Sequence, residues 1–303
     1  MNTPAVVSLD VVSDSYKVVD VAKKKSNRTP LTAETADRHV LYENAVQGVE
    51  GLVDFLERIF RKERRRTFTT FREDFCGTAQ LSVEWVRRRR SNRAWGIDLH
   101  EPTLQWCRRN HLPGLDGAAD RLTLMQGDVM RAKTPPVDVT CAFNFSFNVL
   151  KDRAVLMKYF RKVYRDLTPQ GMFFIDEFGG PQSHTNIIEK KKVKPVTGPD
   201  GTRYEPFTYV WEQTEYNPIT HEVKCYIHFK FKDGSSINRA FVYDWRLWTV
   251  PELREMLLEA GFRRTDVYLQ GWDEEREEED GVFRRRTRYD DWDSWYGYVA
   301  AVK

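Results

Sequence analysis

The chain has 303 residues, enough for one large domain or two modest ones. Hydrophobic residues make up 41%, aromatic residues 13% and charged residues 31%, which supports a sizeable core under a charged surface and excludes global disorder. Lys and Arg number 48 against 45 Asp and Glu, and a net charge of +3 is less than a protein built on a phosphate backbone shows.

Residues 1–30 read as a loosely ordered lead-in, with basic Lys23, Lys24 and Lys25 and a Thr29-Pro30 break. Thr32 as cap, with Glu34 and Asp37 in the first turns, predicts a helix. A second helix is expected from about Val49 to Arg61, with Leu52, Phe55, Leu56 and Ile59 on one face. Thr67 to Asp74 reads as a strand, followed by a loop at Cys76-Gly77-Thr78 and a helix from Leu81 to Arg89. Ala94 to Leu99 is a short strand, and Pro102 opens a helix to about Asn110. Strands follow at Arg121 to Gln126 and Val137 to Asn144. A helix from Ala154 to Leu167 ends at Thr168-Pro169-Gln170-Gly171, and Met172 to Glu177 is again a strand.

Strands that alternate with helices imply right-handed crossovers and a mostly parallel sheet. Residues 203–245 differ. Tyr209 to Tyr216, Glu222 to Phe231 and Ile237 to Trp245 are β-rich runs separated by Asn217-Pro218 and Asp233-Gly234. Such turns predict an antiparallel meander. Val250 to Ala260 is a helix stopped by Gly261, and Arg264 to Leu269 and Trp295 to Val302 are the last strands. Between them, acidic Asp273 to Asp280 and basic Arg284 to Arg288 read as a solvated loop.

The expected fold is therefore α/β, a doubly wound, mostly parallel seven-stranded sheet. It carries an N-terminal extension and helical cap over 1–66. The main domain spans 67–303, with an antiparallel β insert or lid over 181–249. Val139 to Leu150, the longest uncharged stretch in the middle of the chain, is twelve residues. A membrane span needs ~20. No basic-then-apolar leader opens the sequence. Cys76, Cys107, Cys141 and Cys225 form no CxxC pair, so neither a zinc site nor a disulfide framework is expected, and the chain reads as cytoplasmic and reduced.

Chemistry concentrates at Phe71 to Leu81, where a strand enters a Gly-bearing loop and then a helix. In doubly wound folds this first βα turn lies under the ligand. Gly77 lets the backbone approach it closely. Asp98 follows 21 residues later at the end of the next strand, placed to accept both hydroxyls of a ribose. Asp128 is a third acid after the strand beyond.

These segments resemble the class I S-adenosylmethionine-dependent methyltransferases. Cys76-Gly77-Thr78-Ala79 is similar to the CGTG core of that family's first motif. Gly96-Ile97-Asp98 resembles its second motif, Gln126-Gly127-Asp128 its third and Cys141 to Phe147 its fourth. Leu167 to Phe173 resembles the LkPGG turn before strand five, and Glu259-Ala260-Gly261-Phe262 the start of strand six. The resemblance covers roughly Phe71 to Lys303. Phe75 and Ala79 stand where the family usually has Gly.

The resemblance implies roles. Gly77 and its neighbours Phe75, Cys76 and Thr78 would wrap the methionine moiety of S-adenosylmethionine. The acid before the loop could be Glu73 or Asp74, and the spacing to Cys76 favours Glu73. Asp98, followed by Leu99, would bind the ribose. Asp128 would face adenine, with Val129 packing on the ring. Asn144 would sit beside the methyl group. S-adenosylhomocysteine is the implied product, and the sulfonium donor works by proximity and orientation, without a metal.

On the acceptor side, Asn144-Phe145-Ser146-Phe147 faintly resembles the NPPY motif but lacks both prolines, and a packed strand end is the preferred reading. Trp211 and Glu212 of the insert are candidate catalytic residues, with Tyr209, Tyr243, Trp245, Arg246 and Trp248 nearby. These aromatics serve either as a lid or as the insert's own core. As such additions do in the family, the N-terminal helices with Tyr42, Glu43 and Gln47 would close over the cofactor, and His184 is a candidate general base or a solvated loop residue. The runs Arg61 to Arg66 and Arg87 to Arg90 are helix ends favoured by the macrodipole, or a surface for RNA. A small-molecule acceptor is the leading expectation. RNA methylation and a catalytically silent nucleoside-binding scaffold are the alternatives.

Overall fold

A computed structural model describes residues 31–273, 275, 278–289 and 293–303. The expected lead-in over 1–30, and parts of the acidic run and of the loop before Trp295, lie outside the described residues.

The chain opens with α1 (Arg38–Val46) and α2 (Val49–Arg64). The α/β unit follows as β1 (Thr70–Asp74), α3 (Gln80–Arg88), β2 (Arg93–Asp98), α4 (Glu101–Asn110), β3 (Leu122–Gln126), β4 (Val137–Ala142), α5 (Arg153–Asp166) and β5 (Leu167–Gly179). The next segment is entirely extended: β6 (Ile187–Val193), the short pair β7 (Val196–Thr197) and β8 (Arg203–Tyr204), then β9 (Phe207–Asn217), β10 (Glu222–Lys230) and β11 (Ser236–Arg246). It closes with α6 (Val250–Glu259), β12 (Arg264–Leu269), the short pair β13 (Trp272–Asp273) and β14 (Glu278–Glu279), β15 (Arg284–Arg286) and β16 (Trp295–Val302).

The central sheet runs β15-β12-β16-β5-β4-β1-β2-β3. The strands β1 to β5 pair in parallel, whereas β16 is antiparallel to β5 and to β12. Helices cover both faces. The apolar stripe of α2 (Val53, Phe55, Leu56, Ile59) packs with α3 and α4 in one buried cluster, and α5 and α6 form the other. A separate four-stranded antiparallel sheet, β11-β10-β9-β6, packs against α1 through Val40, Leu41 and Phe229.

Three expectations are corrected. The first helix begins at Arg38 rather than at Thr32. Asp37 is its cap, accepting from the His39 amide at 2.8 Å, while the Thr32 carbonyl closes a turn. The central sheet has eight strands rather than seven, because Arg284–Arg286 pairs with β12. There Arg285 bonds Asp266 at 2.7 Å. The meander has a fourth strand, β6, in a stretch reading Ile-Ile-Glu-Lys-Lys-Lys-Val. Both missed strands lie at sheet edges, where charged side chains block further pairing and disguise the β pattern. Among the described residues no helix is long and apolar enough to cross a membrane.

Candidate active site

The floor of the site forms at the ends of β1 and β4, where Glu73 and Phe143 to Phe145 line the cavity, whereas residues 75–79 of the loop after β1, Asp98, Leu99 and Asp128 are not in its lining. Phe75, Gly77 and Ala79 all take the left-handed backbone conformation, at φ of 57°, 53° and 54°. The two positions that replace Gly thus keep the backbone shape that Gly would give. The Phe75 ring packs edge-on against Tyr159 and so leaves the cavity free. Ala79 and Cys76 are buried, and a side chain at Gly96 would meet both. At Gly77, by contrast, nothing lies within 4 Å of where a Cβ would stand.

The two acids before the loop separate cleanly. Asp74 is buried and spent on structure. It accepts from Arg72 Nε at 2.7 Å and from the Tyr159 hydroxyl at 2.8 Å. Glu73 faces the cavity. One of its oxygens accepts from both the Ser82 amide (2.9 Å) and the Ser82 hydroxyl (2.5 Å), and burial pushes its carboxyl up to about 7. The Asp98 carboxylate bridges two turns, accepting from Gly77 N and from His100 N, each at 2.8 Å. Leu99 beside it is 67% exposed. Asp128 accepts from the Met130 amide at 2.8 Å, and its side chain remains open to solvent. Val129 instead sinks into the core, and its carbonyl accepts from Arg72. Thr78 is buried with its hydroxyl unpartnered, and the Cys76 thiol is pushed well up by burial.

Asn144 and Phe145, just past β4, also have φ of 57°. Asp176 of β5 holds both, accepting from their amides at 2.8 and 2.9 Å, and its buried carboxyl is raised to about 7. Sequence reasoning missed Asp176. Its signal was the acid pair Asp176-Glu177 at the end of an otherwise apolar strand.

Between this floor and the antiparallel sheet lies a cavity of about 470 Å³. Its walls come from Tyr42 and Gln47, from Glu73, from Phe143 to Phe145, and from one face of the antiparallel sheet. Strand periodicity selects that face. Tyr209, Trp211 and Gln213 of β9 line the cavity, while Glu212 turns to the other side and pairs with His228 Nε2 at 2.9 Å. Glu212 is therefore not brought to the site. Tyr243 and Trp245 line it, and the Tyr243 and Tyr42 hydroxyls bond α1 to the sheet. Trp248 belongs to the core, with Arg246 lying 3.8 Å over its ring. Glu43 is engaged with His111 at 2.7 Å, and His184 stacks on Tyr216 outside the cavity. Gln213 fastens the sheet to the preceding segment by donating to the carbonyls of Gln182, Ser183 and Thr185.

This arrangement, a 3-2-1-4-5 run of parallel strands continued by an antiparallel last strand, matches solved structures. The chain has the class I methyltransferase fold. A S-adenosylmethionine-bound amino pentose methyltransferase from Micromonospora echinaspora aligns at 15% identity over 87% of this chain and 95% of that one, with a TM-score of 0.61. A S-adenosylmethionine-dependent methyltransferase from Clostridium acetobutylicum aligns at 16% identity over 86% and 95%, with a TM-score of 0.60. A sugar N-methyltransferase from Streptoalloteichus aligns at 18% identity over 95% and 99%, with a TM-score of 0.56. No family model and no curated protein sequence matches the chain.

Several arginines of the two basic runs are tied into the fold. Arg66 bonds Asp138 at 2.8 Å, Arg64 donates to the Gly171 and Lys303 carbonyls, Arg88 pairs with Asp54 and Glu84, and Arg89 pairs with Glu57. They clamp α2 to α3 and to the base of the sheet.

Proposed function

We propose that this protein transfers a methyl group from S-adenosylmethionine to a small molecule. The observation that carries the reading is the cavity at the carboxyl ends of β1 and β4, with Glu73 and Asn144 in its walls. Ligands of doubly wound sheets bind at those strand ends. A volume of about 470 Å³ suits a small ligand, since such sites span ~300–1,000 Å³. The solved methyltransferases that share the fold include ones named for sugar acceptors.

The residues fit the methyl donor. Gly77 leaves room for its approach, Asp98 offers carboxylate oxygens at the end of β2, Leu99 presents an uncovered apolar face, and Glu73 has an oxygen left for an ammonium group. The donor supplies an activated methyl group on a sulfonium centre. The protein's share is to hold the acceptor in line and to exclude water. Asn144 and Phe145, fixed by Asp176, set the floor at the transfer point, and the antiparallel sheet with Trp211 closes above it as a lid.

Calorimetric titration with S-adenosylmethionine and S-adenosylhomocysteine tests the reading. Micromolar binding, lost in Asp98→Ala, is the expected result. Absence of binding to either nucleoside would overturn it.

A further inference from the structure

The roof of the cavity holds an aromatic wall and a carboxylate that methyl transfer by itself does not require. Phe145, next to Asn144, meets Trp245 edge-on at 6.1 Å between ring centroids. Trp245 stacks on Tyr243 at 4.4 Å, and Trp211 lies 6.1 Å from each. The wall thus runs without interruption from the end of β4 to the middle of β9. At its far end Glu189 of β6 stands directly across the strand pair from Trp211. Side chains so placed have Cβ atoms ~5 Å apart.

Glu189 lines the cavity and is half-buried. Burial raises its carboxyl, and among the described residues no hydrogen bond or cation offsets it. Lys191, two residues along the same strand face, donates to the Ala45 carbonyl at 3.3 Å instead. Arg58 at the rim donates to the Phe283 carbonyl at 2.8 Å and lies over the Phe55 ring. Trp245 is 2% exposed, and its indole N–H has no acceptor.

Each feature asks for a complementary group. A desolvated carboxylate without a partner is costly until a cation arrives. Aromatic faces attract cations, most strongly at Trp. A buried N–H without an acceptor is an unmet bond that a ligand oxygen would satisfy. A neutral sugar or an acid would answer only the last of these, and an acid would oppose Glu189.

We propose that the acceptor is a hydroxylated amine, its ammonium group held by Glu189 beside Trp211 and one of its oxygens held by the Trp245 indole N–H. This rests on the methyl-transfer reading and narrows its substrate class. Glu189 is then a specificity residue of the roof, remote from the donor-binding loop.

Intrinsic tryptophan fluorescence reads the proposal, because two of the indoles lie in the wall. The probes are two matched pairs, glucosamine against glucose and 2-aminocyclohexanol against 1,2-cyclohexanediol, each titrated with and without S-adenosylhomocysteine. In at least one pair the amine should bind ~10-fold tighter than its neutral partner, a difference of ~1.4 kcal/mol. Glu189→Gln should bring the pair within ~2-fold while leaving S-adenosylhomocysteine affinity unchanged. Equal binding within both pairs, no binding in either, or a preference that survives Glu189→Gln would overturn the proposal. The two readings fail separately. Nucleoside binding without amine preference removes the amine site alone, and amine preference without nucleoside binding removes methyl transfer alone.

Discussion

The floor and the roof of the cavity are built in opposite ways. The floor uses strand ends and strained turns. Phe75, Ala79, Asn144 and Phe145 all sit in the left-handed region, at a cost of ~1–2 kcal/mol for an ordinary residue. Its carboxylates Glu73 and Asp176 are buried and hold backbone amides. The roof keeps its left-handed residues, Glu215 in β9 and Arg239 in β11, at register shifts away from the cavity lining, and its chemistry is a row of side chains on one face of extended strands. Backbone strain persists where surrounding structure over-determines it, and it gathers at functional sites. On the methyl-transfer reading, the contrast teaches that the floor would hold one donor geometry, whereas the roof can change partners by side-chain substitution alone.

The largest effect expected on this contrast comes from the floor. Folding lifts the Glu73 carboxyl to about 7, against ~4.3 when unfolded. The folded protein binds this proton more tightly. The associated stability is therefore complete below about pH 4 and is lost as the pH rises through about 7. At ~1.4 kcal/mol per unit the loss approaches ~4 kcal/mol at alkaline pH. Both Ser82 bonds end on one Glu73 oxygen, so a glutamine oxygen can take them. Glu73→Gln should gain up to ~4 kcal/mol near pH 8 and lessen the slope of the stability profile, leaving the part due to Asp176, while donor affinity falls. Denaturant unfolding near pH 5 and pH 8 checks this; an unchanged slope would show that Glu73 does not titrate.

Asp98→Ala comes next. Loss of charge-assisted bonds to ribose hydroxyls should weaken donor binding by ~1–3 kcal/mol, measured by calorimetry. The variant also frees the Gly77 and His100 amides, so the loop after β1 should exchange amide hydrogen faster. Unchanged affinity would take Asp98 out of the site.

The same contrast explains what could be read in advance. The floor was legible because backbone demands write themselves into short motifs at fixed offsets: an acid, a turn glycine at Gly77, and a second acid at Asp98. Five parallel strands and their helices follow from alternation of period. The roof was legible only as extended chain. Period-two alternation separates Trp211 from Glu212 but does not say which of the two faces the cavity, and that depends on how the sheet docks on α1. Glu189 was hidden in a lysine-rich edge strand, and Asp176 depends on a contact between β5 and the turn after β4, which no local pattern records.

Trp211→Ala tests the roof. Trp211 is half-buried, packs with Tyr243 and Trp245 and borders two buried clusters of the antiparallel sheet, so the fold should lose ~1–2 kcal/mol. Acceptor turnover, followed with labelled methyl donor, should fall ~10-fold or more with donor affinity unchanged, because the lost ring orients the acceptor and not the donor. A stability loss as large as the loss of turnover, or a parallel loss of donor affinity, would make the ring part of the insert's core.

The smallest effect concerns the two residues that replace glycine in the floor. Ala79 is fully buried and starts α3 in the left-handed conformation without a side-chain cap. Ala79→Gly would relieve ~1–2 kcal/mol of backbone strain. It would also remove a buried methyl, ~0.8 kcal/mol, and add freedom to the unfolded chain, ~0.4–1 kcal/mol. These terms nearly cancel, so the stability should move by less than ~1 kcal/mol. Phe75→Gly relieves the same strain but gives up a ring packed against Tyr159, so it should be net destabilising. Thermal unfolding of the two variants decides whether the floor tolerates its non-glycine residues by packing. Equal and favourable shifts in both would mean that the Phe75 ring adds nothing, and that strain alone distinguishes this loop from its glycine-bearing counterparts.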